Sequence, residues 1–402
     1  MAPDPRPGMA TRAVHAGHLS NPFGGVSSPV YQSATFRFRS LAAMLEAFHQ
    51  GPESMVYTRY ANPTVAAVEQ KLANLEGAEA ALAFASGMAA ITSTFFSLCG
   101  PGDRILCQRE IYGGTFEFIS HWAERVGWKV DWFSTREQDS LDVMLESKPR
   151  VVYAETPTNP TLRLVDLKRL AERAHKAGAV LVVDNTFATG YLQQPLALGA
   201  DIVVHSATKY LAGHSDLIAG AAMGSRDHMV DLWKVRKILG GSIDPHAAWL
   251  LERSIKTLTI RVERAQQNAQ VVAEFLSKHP FVERVHFPGL PSHPDHALAK
   301  TQMKGFGGMV TIELAGDLSA AARFVDSLTV FQLAASLGSV ESLVSVPAAS
   351  SHFALTPEER AEAGVTEGMV RLSVGIEDAR DLIDDLAQAL AAAATNVAAV
   401  RA

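Results

Sequence analysis

A chain of 402 residues that is 48% hydrophobic and 19% charged has room for two globular domains and is too apolar to be disordered. Its 36 basic and 42 acidic residues leave a net charge of -6 without a run of Lys or Arg, so a nucleic-acid partner is not expected. Cys99 and Cys107 are its only cysteines. They are too few for a disulfide framework and lie in no cluster with metal spacing, which suits two reduced thiols of a cytoplasmic protein and predicts no metal site.

The start of the chain, Met1 to Gly8, has no apolar stretch of signal-peptide type. No run approaches the roughly 20 apolar residues that span a bilayer, so no membrane partner is expected. Residues 1–60 are rich in turn formers, such as Asn21-Pro22-Phe23-Gly24-Gly25, and read as an arm wrapped on a neighbouring subunit or on the rest of its own chain. From Asn62-Pro63-Thr64 a helix begins, with Val65, Val68, Leu72 and Leu75 at helical spacing. Apolar strands then alternate with helical segments at Ala80–Ala85, Arg104–Cys107, Lys129–Phe133, Val151–Ala154, Ala179–Val183 and Ile202–Val204. Such alternation predicts an α/β fold, a mostly parallel sheet flanked by helices.

Asp244-Pro245 caps a long helical stretch running towards Lys278. Beyond it, strands at Gly308–Leu314 and Val370–Val374 mix with helices at Ala320–Ser327 and Arg380–Ala391, giving a smaller α+β C-terminal domain. The Ala-rich tail from Leu386 to Ala402 reads as a helix end fraying into a disordered terminus. The organisation predicted is an arm over 1–60, a cofactor-binding domain over 61–250 and a C-terminal domain over 251–402.

The chemistry gathers at strand ends. Ser206-Ala207-Thr208-Lys209 closes the strand Ile202–Val204, and Asp184 closes the strand before it. Alone, a lysine there is a loop charge and an aspartate a cap. Together they place an imine-forming amine near an acid able to hold a pyridinium proton, which is what pyridoxal 5'-phosphate requires of a protein. Ser86-Gly87-Met88 turns from a strand into a helix whose free N–H groups suit a phosphate, with Ser206 and Thr208 as hydroxyl donors. Arg59, beside Tyr57, could add a guanidinium. Tyr112, before Gly113-Gly114, could stack on a pyridine ring or be core. Asn159 falls at the same sheet edge, and Arg371 inside a strand calls for an anion such as a substrate carboxylate.

These motifs carry a resemblance. Tyr57-Thr58-Arg59, Ser86-Gly87-Met88, Tyr112-Gly113-Gly114, Glu155-Thr156-Pro157-Thr158-Asn159-Pro160, Asp184-Asn185-Thr186, Ser206-Ala207-Thr208-Lys209, Ser336-Leu337-Gly338 and Arg371-Leu372-Ser373 occur in order over nearly the full length. The chain resembles the Cys/Met-metabolism family of pyridoxal-phosphate enzymes, which holds methionine and cystathionine γ-lyases, cystathionine γ-synthases and O-acylhomoserine sulfhydrylases. The resemblance implies an aspartate-aminotransferase-like fold and a cytoplasmic homotetramer built as a dimer of dimers. It makes Lys209 the lysine that binds the cofactor and moves protons, and Asp184 the partner of the pyridine nitrogen. Tyr112 becomes the stacking residue with a part in proton transfer. Gly87, Met88, Ser206 and Thr208 form the phosphate site, which Tyr57 and Arg59 reach from the neighbouring subunit. Asn159, Ser336 and Arg371 bind the α-carboxylate.

The activity so implied is a carbon–sulfur γ-lyase acting on methionine, homocysteine or cystathionine to give 2-oxobutanoate, ammonia and a thiol. The alternative is a γ-replacement transferase. Val56, Phe116 and Ala335 stand where cystathionine enzymes tend to carry charge, or next to such positions, and point to a small apolar thioether; Glu117 and Gly114 depart from the lyase patterns.

Overall fold

In the computed structural model, which describes residues 7–135, 141–350, 353, 356–362 and 364–400, the strands form two sheets. β1 (Ala80–Phe84), β2 (Arg104–Gln108), β3 (Lys129–Phe133), β4 (Val151–Glu155), β5 (Val180–Asp184), β6 (Ile202–His205) and β7 (Gly220–Gly224) build the larger one, in the order β1-β7-β6-β5-β4-β2-β3. Neighbours from β6 to β3 are parallel, whereas β7 runs antiparallel to β1 and β6. Val151–Ala154 and Leu181–Val183 are wholly buried, as strands covered on both faces must be.

β7 is the strand the periodicity hides. Its sequence, Gly-Ala-Ala-Met-Gly, has little β preference. Small residues are required there instead. A Cβ on Gly220 would stand 2.0 Å from the Ser86 carbonyl oxygen, and one on Gly224 2.6 Å from that of Asp201. β7 thus lies directly against the Ser86–Gly87 turn, and its lack of side chains lets it do so.

The smaller sheet contains β8 (Val282–His286), β9 (Met309–Leu314), β10 (Gln332–Leu333), β11 (Leu343–Ser345) and β12 (Met369–Ser373), in the order β10-β11-β12-β9-β8. Sequence periodicity finds only β9 and β12, the two central strands. β8 is a half-exposed edge carrying Glu283 and Arg284, and β10 and β11 have only two and three residues.

The helix Pro63–Glu76 starts at Asn62, whose side chain accepts from Thr64 N at 2.9 Å, and ends at Gly77 with φ 72°. The stretch after Asp244 differs from expectation, being two helices, Pro245–Ile255 and Leu258–Leu276. Buried Arg261 draws the chain in at the break. Its guanidinium donates to the carbonyls of Ser254 at 3.0 Å and Tyr210 at 2.8 Å. The C-terminal helix covers Ala379–Val400 rather than fraying from Leu386, with Leu386, Ala389, Leu390 and Ala393 fully buried in the second domain's core; the end of the tail expected to fray, 401–402, lies outside the described residues.

The arm is partly tied to its own chain. Its first helix, Met9–His15, packs on Pro63–Glu76, where buried Lys71 Nζ donates to the carbonyls of Ala13 at 2.8 Å and Val14 at 3.1 Å. Further along, Phe23 is 95% exposed and Val26 91% exposed. No helix among the described residues is long and apolar enough to cross a membrane.

Candidate active site

The carboxyl ends of β1, β4, β5 and β6, with the loop after β2, open into a cavity of about 490 Å³ that is also lined by Arg371 of β12 and the segment Ala335 to Leu337. Gly87, Met88, Tyr112, Asn159, Asp184, Ser206, Thr208, Lys209, Ser336 and Arg371 all line it. Open parallel sheets collect ligands at this edge because successive strand ends and helix N-termini converge there.

At one end, Ser86 caps the helix Gly87–Leu98, its hydroxyl accepting from Ala89 N at 3.0 Å. The remaining N–H groups of the first turn and the positive end of the helix suit an anion. A Cβ on Gly87 would lie 2.8 Å from the Ser206 Cβ, so only glycine lets these two turns meet. The Thr208 hydroxyl accepts from Ala219 N at 2.9 Å and donates to Ala219 O at 3.1 Å. It therefore braces the turn carrying Lys209 as well as facing the cavity.

Asp184 is buried, and burial raises its carboxyl above the ordinary range. Thr186 opposes this, donating to Oδ1 from its N at 2.9 Å and its Oγ1 at 2.5 Å. Lys209 Nζ donates to Ser336 Oγ at 2.9 Å. Its ammonium is pushed down to about 8, first by burial and then by the nearby Arg371 cation. Arg371 Nη1 donates to Asn159 Oδ1 at 2.9 Å and Nη2 to Ser336 O at 3.1 Å. Both acceptors are neutral, and its buried Nε has no hydrogen-bond partner among the described residues. An uncompensated buried guanidinium is a seat for a carboxylate.

Tyr112 opens the helix Gly113–Trp122 and is 46% exposed. A Cβ on Gly114 would come within 2.6 Å of its ring, so the ring uses the space that a side chain at 114 would fill.

Tyr57 and Arg59, expected to serve a neighbouring subunit, lie outside this cavity. They line a separate surface groove with Ser33, Ser242 and Asp244, where the Arg59 guanidinium donates to the Lys237 carbonyl. Of the substrate-selecting set, only Ala335 lines the cavity. Phe116 packs on Trp132 with ring centroids 4.8 Å apart, and Val56 is buried away from the cavity. Glu117 is exposed. The lining also includes residues that sequence reasoning gave no part: Glu155, Thr186, Phe187, Ile218 and Ser350. Glu155 carries the same signal as Asp184, an acid ending an apolar strand.

A larger cavity of about 990 Å³ lies against the smaller sheet. Two of its charged side chains are paired, Arg163 with Asp295 at 2.6 Å and His286 with Glu313 at 2.7 Å. It offers no free amine to a carbonyl cofactor.

The smaller cavity does fit pyridoxal 5'-phosphate. It joins an amine of lowered basicity, an acid at a neighbouring strand end and a glycine-floored helix N-terminus. Site and fold define a pyridoxal-phosphate-dependent α/β enzyme.

Comparisons with known proteins narrow the class. The model of the Cys/Met metabolism PLP-dependent enzyme family matches residues 10–391, and the chain belongs to this family. It is 47% identical to an L-methionine gamma-lyase of Pseudomonas putida, over 96% of this chain and 98% of that one. It is 44% identical to a cystathionine gamma-lyase of Bacillus subtilis, over 91% and 94%. The solved structure of cystathionine gamma synthase from Xanthomonas oryzae pv. oryzae in complex with cystathionine superimposes with a TM-score of 0.93 at 40% identity, covering 97% of this chain and 99% of that one.

Proposed function

We propose that this chain is a carbon–sulfur γ-lyase that cleaves methionine and related sulfur amino acids. Methionine and water give 2-oxobutanoate, ammonia and methanethiol. The observation carrying this reading is the composition of the cavity. Among the described residues of one chain, the charged side chains lining it are Asp184, Lys209, Arg371 and Glu155, and its remaining walls include Ile91, Phe187, Ile218, Ala335 and Leu337. The distal ammonium and carboxylate of cystathionine would lose water there without gaining partners, at about 1–3 kcal/mol each.

Bound pyridoxal phosphate supplies the electron sink that makes the substrate Cα–H acidic. Arg371 takes the α-carboxylate through the guanidinium edge left unused, held in place by Asn159 and the Ser336 carbonyl. Lys209, its amine available near neutral pH, removes the Cα proton and returns protons later in the cycle. Asp184 would hold a proton on the pyridine nitrogen. Tyr112 lies on the face of the site and delivers a proton to the departing γ-sulfur. Gly87, Met88, Ser206 and Thr208 hold the phosphate.

Tyr57 and Arg59 complete the phosphate site of a neighbouring subunit, and residues 1–60 form the arm that reaches it. Residues 61–250 form the cofactor-binding domain and 251–402 the C-terminal domain. Two such dimers make a tetramer in the cytoplasm. The exposed apolar side chains Phe23, Val26, Leu41, Leu45 and Phe48 of the arm support this assembly.

A second reading, γ-replacement on O-acylhomoserine, is favoured by the likeness to cystathionine gamma synthase. Incubation with methionine, cystathionine and O-acylhomoserine plus a thiol separates the two. The lyase reading requires 2-oxobutanoate from methionine at least as fast as from cystathionine. A thioether product in excess of 2-oxobutanoate from O-acylhomoserine would overturn it.

A further inference from the structure

The chemistry above uses Asp184 and leaves a second buried acid in the same cavity without a task. Glu155 ends β4 as Asp184 ends β5, and the two residues are direct partners in the parallel register. Their side chains therefore leave the same face of the sheet. Glu155 is 4% exposed and lines the cavity. Its Oε2 accepts from the backbone N of Tyr112 at 2.7 Å, and its carboxyl group also accepts from the backbone N–H of Asn159. Its own N donates to Gln108 Oε1 at 3.0 Å, fixing the base of the side chain to β2. One carboxyl group thus ties the loop bearing the stacking tyrosine to the turn bearing the partner of Arg371.

We propose that Glu155 is a positioning residue, whose carboxyl group sets the Tyr112 loop and the Asn159 turn in one arrangement on either side of the pyridine site. The inference rests on pyridoxal phosphate occupying this cavity.

Glu155 does this as a neutral acid. The charged and titratable groups facing it are Asp184 from β5, Cys107 from β2, Tyr153 of its own strand and Arg371 from β12. Burial is the largest influence and pushes its carboxyl well up, with Asp184 adding to the rise; the two backbone donors and Arg371 oppose it. Two carboxylates at adjacent strand ends, out of water, do not both ionise. Asp184 has three donors on it, from Thr186 N, Thr186 Oγ1 and the Tyr153 hydroxyl at 3.4 Å. Its charge is further favoured by a pyridinium partner. The proton stays on Glu155, which keeps a lone pair for Tyr112 N–H.

A neutral positioning acid and a merely structural one respond differently to substitution. Glu155→Gln, which is neutral and of equal size, should keep the cofactor dissociation constant within about threefold. It should also retain the circular dichroism that the bound cofactor acquires from its surroundings. Glu155→Ala should weaken that dichroism and lower kcat/KM for methionine about 100-fold, as displacement of a reacting group by about an ångström does. Both kcat and KM should change, since Tyr112 and Asn159 are released together. Glu155→Ala with cofactor dichroism and kcat/KM within twofold of wild type would overturn the proposal. So would Glu155→Gln as damaged as the alanine variant, which would require an ionised carboxylate. If Glu155→Ala fails to fold, Glu155→Leu takes its place with the same expected losses, and wild-type dichroism and kcat/KM there would equally overturn the proposal. A wild type that binds no cofactor would instead sink the reading of the cavity itself.

Discussion

The cavity and the groove around Tyr57 are built from opposite kinds of structure. The cavity is assembled from strand ends whose positions are fixed by a buried sheet, and its groups answer one another within one chain: Lys209 on Ser336, Arg371 on Asn159, Asp184 on Thr186. The groove carries an equally marked pair, Tyr57 and Arg59, on a segment before the first strand and outside the cavity, where the Arg59 guanidinium donates to the Lys237 carbonyl. The strand-end groups meet within one chain, whereas the role proposed for the arm pair needs a second copy.

Substitution can break that contrast. Lys209→Ala should cut turnover by at least about 10³-fold, because it removes the base as well as the covalent anchor. Arg59→Ala should also be inactive, for loss of phosphate binding. Mixing the two inactive proteins and allowing subunit exchange should restore about a quarter of wild-type activity. Half of the dimers would then be hybrids, each with one intact and one doubly defective site. No recovery after verified exchange would place Arg59 in its own chain's chemistry and erase the contrast.

Arg371→Ala should raise KM for methionine about 100-fold with a smaller fall in kcat, as expected for the loss of a charge-assisted carboxylate contact. Steady-state kinetics checks this, and an unchanged KM would remove Arg371 from the carboxylate site.

The smallest effect sharpens the electrostatic side. Lys209 has its ammonium pushed down to about 8 by burial and Arg371. Only the free amine can attack the cofactor's aldehyde. The rate at which apoprotein recombines with pyridoxal phosphate should therefore rise about fivefold from pH 7 to pH 8 and level off above pH 9, given an ordinary lysine value near 10.4. A rate still climbing tenfold per unit at pH 9 would mean an unperturbed lysine.

The same contrast explains what was legible in the sequence. Asp184 and Lys209 are recognisable because the parallel strands before them are apolar on both faces and stop abruptly at polar residues. Glu155 carries that signal too, yet nothing in the sequence shows that it pairs in register with Asp184. β7 escapes because close approach to the Ser86 turn selects glycine and alanine over β-branched residues. The break near Thr257 depends on Arg261 reaching carbonyls at 210 and 254, a tertiary contact that helical spacing does not encode. Phe116 and Glu117 mislead for a related reason. Their distance in sequence from Tyr112 is short, but Phe116 turns into a cluster with Trp132 and Glu117 faces outward.

One lysine, just beyond β6, should hold pyridoxal phosphate and run the reaction. Borohydride reduction of the holoprotein followed by peptide mapping tests it most directly. A single pyridoxyl adduct should appear on Lys209 and be absent from Lys209→Ala. An adduct on another lysine, or none in a fully active preparation, would contradict it.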